Sequence, residues 1–140
     1  MKRREFIGKT CGACAGLLAL GFASTLMEGC SSPLPVASAT IDNKLIRVSL
    51  DAMLQSNVMI VRNAKLASDI LLVKKGEEYT ALQMTCTHQI QPLTATATGL
   101  YCSSHGSTFD LDGNVTREPA VKSLKKYQLE RNNNEIIIHL

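Results

Sequence analysis

Two pairs of cysteine and histidine residues are the part of this sequence whose residue types and spacing point to chemistry. One residue separates Cys86 from His88, and two residues separate Cys102 from His105. The 13 residues 89–101 lie between the two pairs. A thiolate and an imidazole this close on one loop can turn toward the same metal, and both are ligands of soft and borderline metals. Together the four side chains supply two sulfur and two nitrogen donors.

Three interpretations fit this donor set. A structural zinc ion takes two thiolates and two imidazoles in a tetrahedral arrangement. A [2Fe–2S] cluster takes two cysteines on one iron and two histidines on the other. A disulfide between Cys86 and Cys102 is the third interpretation for an exported protein, but it leaves the spacing of the two histidines without a reason.

The residues around the two pairs resemble the cluster-binding loops of the Rieske iron–sulfur family. Gly106 and Ser107 follow the second histidine, and a zinc ion does not require this Gly-Ser pair. The resemblance covers residues 42–140 as a general pattern. The matching motifs are Cys86-Thr87-His88 for the first loop, Cys102-x-x-His105-Gly106-Ser107-x-Phe109-Asp110 for the second, and Pro119-Ala120 with Leu124 and Tyr127 for a proline-containing loop and the strand after it.

The resemblance implies an all-β fold, a small antiparallel sandwich or barrel in which two loops at one end hold one [2Fe–2S] cluster. Cys86 and Cys102 would bind one iron, while His88 and His105 would bind the other. Ser107 would donate a hydrogen bond to a cluster sulfide and stabilise the reduced state. The histidine end would face an electron-transfer partner.

Three positions depart from the high-potential members of that family. Those members carry an extra cysteine in each loop, joined by a disulfide, where this chain has Gln91 and Ser104. They also carry a tyrosine, whose hydroxyl bonds a ligand sulfur, where this chain has Phe109. These differences predict a moderate or low potential within the Rieske range of about −150 to +300 mV.

Residues 1–30 predict an export signal. A basic start at residues 2–4 precedes an uncharged and mildly apolar stretch. The run Arg3-Arg4-Glu5-Phe6-Ile7 resembles a twin-arginine signal, a class that exports folded proteins, so a cluster can be inserted before transport. An ordinary secretory signal that contains two arginines is the alternative.

The end of this signal has three interpretations. Cys30 follows Gly29 and precedes two serines, which resembles the acylated cysteine of a lipoprotein. The small residues 37–39 form a competing cleavage site, and an uncleaved membrane anchor is the third possibility. Residues 31–41, which contain two prolines and several serines, predict an extended linker. The predicted location is the periplasmic side of a bacterial membrane, lipid-anchored or signal-anchored, or soluble in the periplasm.

Residues 42–140 predict a domain of short strands. Apolar and polar residues alternate over residues 45–50, and residues 58–61 and 70–73 are fully apolar runs that fit central strands. Gly76 marks a hairpin turn between two further strands. Residues 125–129 and 136–139 would pair around three asparagines.

The charge of this domain excludes one class of partner. Without residues 1–30 the chain has eleven basic and ten acidic residues. Binding to nucleic acid depends on many cations that contact phosphates, so a nearly neutral domain is not expected to bind it.

The sequence therefore predicts an exported electron carrier that exchanges electrons with a quinol or cytochrome chain. The first alternative is the small Rieske subunit of a periplasmic oxidoreductase, either of the arsenite-oxidase type or in a quinol-oxidising complex, with a large subunit as partner. The second alternative is a structural zinc module. A stand-alone enzyme is disfavoured because the chain has little length for a second catalytic domain.

Overall fold

The computed structural model describes residues 33–140, which form twelve β-strands and one 3₁₀ turn at Asp51–Met53. This confirms the predicted all-β class. No helix with the length and hydropathy of a membrane span occurs within residues 33–140. The strands are β1 Val36–Ser38, β2 Thr40–Asp42, β3 Leu45–Ser49, β4 Val58–Arg62, β5 Ile70–Lys75, β6 Glu78–Gln83, β7 Thr94–Ala95, β8 Leu100–Tyr101, β9 Thr108–Phe109, β10 Val115–Arg117, β11 Lys126–Asn132 and β12 Glu135–His139.

The strands form a larger and a smaller sheet. The larger sheet has eight strands in the order β1-β4-β5-β6-β11-β12-β3-β2. The smaller sheet has four strands in the order β10-β9-β8-β7 and is antiparallel throughout. β6 runs from the larger sheet into the first cysteine–histidine loop, and the second such loop joins β8 to β9 in the smaller sheet. The two sheets therefore each carry one of the two pairs.

β5 contributes side chains to both hydrophobic cores of the domain. Its uninterrupted apolar run predicts burial on both faces, and Ile70 through Val73 are buried. Because successive side chains of a strand point to opposite faces, Ile70 and Leu72 pack into one core and Leu71 and Val73 into the other. The "sheet core" comprises Ala39, Ile46, Val48, Leu50, Met53, Met59, Val61, Ile70, Leu72, Ala81, Ile136 and Ile138. The "loop core" comprises Val58, Leu71, Val73, Leu82, Met84, Cys86, Leu93, Leu100, Cys102, Phe109, Ala120 and Leu124.

The predicted hairpins are present with the expected turn residues. Gly76 joins β5 to β6 with a φ of 61°, a conformation that glycine adopts without steric cost. Asn133 joins β11 to β12 with a φ of 51°, and asparagine is among the few other residues that tolerate this region.

The linker predicted for residues 31–41 is wrong from Val36 onward. β1 pairs in parallel with β4, and β2 pairs antiparallel with β3. Ala39, which lies between these two short strands, is only 7% exposed and belongs to the sheet core. Pro33 and Pro35 do favour extended backbone, but the residues after them find sheet edges to pair with. The predictions on the export signal and on acylation of Cys30 lie outside the described residues.

Candidate metal centre

The first loop leaves β6 and folds back on itself at once. The backbone N–H of Cys86 donates to the carbonyl of Gln91 at 2.8 Å, and Thr85 forms an isolated bridge with Pro92. These contacts close a tight turn that buries Cys86, which is 2% exposed. His88 lies within the turn and is exposed.

The second loop has the same design between β8 and β9. The N–H of Cys102 donates to the carbonyl of Ser107 at 2.8 Å, and the N–H of Gly106 donates to the carbonyl of Cys102 at 3.0 Å. Gly106 has a φ of 82°, and a Cβ placed there would meet nothing within 4 Å. Glycine is therefore required by the backbone conformation and not by lack of space. Cys102 is buried, and His105 is exposed.

The four predicted ligands come together as two pairs of like side chains. Cys86 and Cys102 are free thiols, and both are buried in the loop core. The rings of His88 and His105 lie edge to face, with centroids 4.9 Å apart and an interplanar angle of 81°. The thiols thus face the interior and the imidazoles face solvent. The structure contains no disulfide between Cys86 and Cys102.

Hydrogen bonds favour the thiolate form of Cys102. Burial alone opposes ionisation of this thiol. The backbone N–H groups of Ser104 and His105, the Cys86 side chain and the Ser104 hydroxyl together outweigh burial and lower the pKa of Cys102. Thiolate is the form of cysteine that binds metals, so the second loop is prepared to supply it.

A third loop, residues 118–125, braces both cysteine–histidine loops. The hydroxyl of Thr87 donates to the carbonyl of Lys122. The N–H of Ala120 donates to Oγ of Ser107 at 3.0 Å. Ser107 is 0% exposed, and because its oxygen accepts this bond, its O–H remains available as a donor. The contacts made by Thr87 and Ala120 were not predicted, since nothing in the sequence links positions so far apart.

The donor set fits a two-iron cluster. The donors are sorted into a buried thiol pair and an exposed imidazole pair. Two thiolates on one iron and two neutral imidazoles on the other is the ligand set of a histidine-ligated [2Fe–2S] centre.

Asp110 holds the turn that follows the second loop. Its carboxylate accepts the N–H groups of Asp112 and Asn114 at 2.9 and 2.8 Å and the side-chain amide of Asn114 at 3.1 Å. Partial burial opposes ionisation, but these bonds, together with the positive charge of Lys75, lower the pKa of Asp110. Asp110 therefore caps the turn between the second loop and β10.

Comparisons with known proteins point to one family. The family model described as Rieske [2Fe-2S] domain matches residues 46–128, which is more than half of the chain. A search of curated proteins finds no significant match to the sequence.

Among solved structures, similar folds occur in small proteins and in parts of large ones. The cyanobacterial plasma membrane Rieske protein PetC3 from Synechocystis PCC 6803 is 20% identical with a TM-score of 0.56, over 66% of this chain and 95% of that one. A chain in the complex of reduced oxygenase and oxidized ferredoxin in carbazole 1,9a-dioxygenase is 20% identical with a TM-score of 0.53, over 70% and 94%. The quaternary ammonium Rieske monooxygenase CntA is 16% identical with a TM-score of 0.54, over 80% of this chain but 34% of its own. At these identities the likeness is one of fold.

Proposed function

The chain belongs to the Rieske [2Fe-2S] domain family, and from that membership we propose that it is an electron-transfer protein with one [2Fe–2S] cluster. The observation that carries the proposal is the sorting of the four donors, with both thiols buried and both imidazoles exposed on loops from two sheets. The proposed ligands are Cys86 and Cys102 on one iron and His88 and His105 on the other.

The cysteines and the histidines of the site have different roles in the proposed electron transfer. When bound, the cluster takes up and releases one electron. Cys86 and Cys102 hold it from the protein side, where apolar neighbours exclude water. His88 and His105 are exposed and therefore supply the shortest path for an electron to a partner. The ring nitrogen of each histidine that does not bind iron is the atom that can take up a proton.

Metal analysis and electron paramagnetic resonance test this proposal. The full chain, purified anaerobically and reduced with dithionite, is expected to contain about two irons and about two acid-labile sulfides and to give a rhombic signal with a low average g value. His105→Ala is expected to abolish the signal. His139→Ala is the matched control, because this third histidine lies on β12, outside both loops. A preparation that contains stoichiometric zinc and no sulfide would contradict the proposal and revive the zinc module.

We also propose a moderate or low potential for this cluster. Gln91 and Ser104 stand where a loop disulfide would form in the high-potential relatives, and Phe109 stands in place of a tyrosine donor. Phe109 is 2% exposed and lies in the loop core together with Cys102. Fewer hydrogen bonds to the ligand sulfurs leave more negative charge on the cluster and make it harder to reduce. A redox titration with a midpoint near the top of the family range of about +300 mV is the result that contradicts this.

The proposed location is the periplasmic side of a membrane, with the first 30 residues as export signal. The support is the paired Arg3 and Arg4 and the lipoprotein-like surroundings of Cys30. Replacing both arginines by lysine is expected to leave the protein in the cytoplasm of the expressing cell, and Cys30→Ser to release it from the membrane fraction. Export that survives the first change, or membrane attachment that survives the second, contradicts the corresponding part.

A further inference from the structure

The two ligand loops carry no fixed charge. Residues 79–109, which contain β6 after its first residue, both loops and the smaller sheet up to β9, have no Asp, Glu, Lys or Arg. His88 and His105 are their only ionisable groups apart from cysteines and tyrosines. Whatever charge a partner meets at this end of the domain must therefore come from neighbouring segments.

The neighbouring third loop and the strand ends beside it are strongly basic. Residues 117–126 contain four basic residues and one acidic residue, a net charge of +3. The other residues from 33 to 140 carry seven basic and nine acidic side chains, a net charge of −2. None of the five charged side chains of residues 117–126 forms a salt bridge with another described residue. All five are exposed, and they are Arg117, Glu118, Lys122, Lys125 and Lys126.

Three hydrogen bonds fix the backbone of this basic segment to the cluster end of the molecule. Lys122 receives the Thr87 hydroxyl on its carbonyl, next to His88. Lys125 accepts the N–H of Gln83 at 2.9 Å, at the point where β6 enters the first loop. Ala120, between Glu118 and Lys122, donates its N–H to Oγ of Ser107 in the second loop. The backbone of the basic segment therefore lies against both ligand loops.

Two apolar side chains project from the same end. Ile90, two residues after His88, is 89% exposed, and Val121, next to Lys122, is 80% exposed. The two loops are neighbours, because Thr87 of the first loop donates to the carbonyl of Lys122 in the third. An apolar centre inside a polar rim is the composition of a protein–protein interface. The basic rim supplies the charge complementarity that steers an oppositely charged partner toward the centre.

We propose that the histidine end of this domain docks an acidic redox protein, with Ile90 and Val121 in the apolar centre and the basic segment 117–126 as the rim. The proposal rests on the proposed function, since it concerns the partner of the same cluster. One electron passes from the reduced cluster to the oxidised partner, which returns the cluster to its all-ferric form. An anionic membrane surface is the competing occupant of a basic rim, and the test separates the two.

The test measures the salt dependence of electron transfer with two protein probes of opposite charge. The full chain in neutral detergent is reduced and mixed with an acidic blue-copper protein, plastocyanin, or with basic cytochrome c, both used in their oxidised forms. Between about 20 and about 300 mM salt, the rate with plastocyanin is expected to fall at least about fivefold, and the rate with cytochrome c to rise or stay constant. A rate with plastocyanin that does not fall with salt overturns the proposal.

A matched pair of double variants locates the effect. Lys122→Glu with Lys126→Glu reverses two rim charges and is expected to lower the rate with plastocyanin about tenfold at low salt. Lys44→Glu with Arg47→Glu makes the same change in net charge on the β2–β3 hairpin, three strands away from β6 in the sheet, and is expected to change that rate less than about twofold. Equal effects of the two variants overturn the proposal, because the charge would then act through the whole protein.

Two further readouts separate the possible failures. The electron paramagnetic resonance signal of each protein reports the cluster, so a wild type without the signal contradicts the proposed function itself. Binding to phosphatidylglycerol vesicles, compared with phosphatidylcholine vesicles, reports the membrane alternative. If the rim variant loses only its preference for the anionic vesicles and keeps its rate with plastocyanin, the rim binds lipid and the proposal is overturned.

Discussion

Ser107 shows what a single buried hydroxyl does at this site. Among the described residues it is the one polar side chain in the buried interior, and its oxygen accepts the N–H of Ala120. The bond ties the second loop to the third loop. The bond occupies one lone pair of the hydroxyl oxygen. The O–H is left to act as a donor, which is the role that the Rieske resemblance gives to this serine.

Replacing Ser107 by alanine is expected to lower the midpoint potential of the cluster. A hydrogen bond to a charged acceptor is stronger when the acceptor is more negative, so its loss costs the reduced state about 1–2 kcal/mol more than the oxidised state. At 59 mV per tenfold change in equilibrium constant, this difference corresponds to about 40–90 mV. A redox titration measures the shift.

Ser103→Ala is the control for this change, because Ser103 is exposed on the same loop. It is expected to leave the potential in place. If both variants titrate like the wild type while the Ser107 variant has only lost stability, Ser107 is a structural residue that satisfies Ala120 and does not tune the cluster.

Asp110 is expected to make stability depend on pH in the acid range. Its pKa in the folded protein is lowered, so its contribution is complete above the unfolded value of about 3.9 and is lost as the pH falls through the folded value. Asp110→Asn is expected to cost about 1 kcal/mol at pH 7, because charge-assisted hydrogen bonds become neutral ones. The difference between variant and wild type is expected to shrink as the pH falls through the lowered pKa of Asp110 in the folded protein.

Denaturant unfolding at several pH values measures this effect. Asp112→Asn is the control, because Asp112 forms an exposed ion pair with Lys75 at 2.6 Å, with both side chains about half exposed. Such surface pairs contribute about 0–1 kcal/mol. A stability gap for Asp110→Asn that stays constant from neutral to acid pH contradicts the assignment.

At the scale of elements, the strands that the sequence predicts are those with a pattern of their own. The alternation at Leu45–Ser49 and the apolar runs at Val58–Arg62 and Ile70–Lys75 are strands in the structure. The short strands β7, β9 and β10 were missed, because two or three residues do not establish a period. β1 and β2 were missed for another reason, since their partners β4 and β3 are set by tertiary packing.

Substitution of two adjacent leucines of β5 distinguishes the roles of the two cores. Leu71→Ala and Leu72→Ala each remove a fully buried side chain and are each expected to destabilise the domain by roughly 2–5 kcal/mol. Leu71 belongs to the loop core with both cysteines, whereas Leu72 belongs to the sheet core. Only Leu71→Ala is therefore expected to speed the loss of the cluster under native conditions.

The bleaching rate of the visible absorption of the cluster in the presence of an iron chelator measures this difference. Each leucine variant serves as the control for the other, because the residue type, the burial and the strand are the same. Equal bleaching rates would mean that the two cores act as one unit and that global stability alone governs cluster retention.

At the scale of the whole molecule, the sequence indicates the candidate ligands but not the contacts that support their loops. The spacing of the cysteine–histidine pairs is a local feature, and the structure places the two histidine rings edge to face and both cysteines in the loop core. The third loop reaches the first across 35 residues and the second across 13, through Lys122 and Ala120. Such contacts depend on how the two sheets pack, and they cannot be predicted from residue types. The position of the basic segment 117–126 beside the ligand loops depends on the same packing.

Removal of the cluster tests how far the two parts of the molecule depend on each other. A cluster that links Cys86 to Cys102 would close a loop of the chain. A cross-link that closes a loop of this length contributes about 3 kcal/mol to the free energy of unfolding. For a domain of this size, that loss lowers the melting temperature by about 10–20 °C.

The sheet core contains neither cysteine, so the apoprotein is expected to keep its β-sheet circular dichroism at room temperature. Cys86 and Cys102 are buried while the two loops stay closed. Loss of the cluster is expected to loosen these loops, so both thiols should become reactive. Thiol titration and thermal melting of the same samples measure both effects. An apoprotein that unfolds completely would show that the larger sheet also depends on the cluster for its stability.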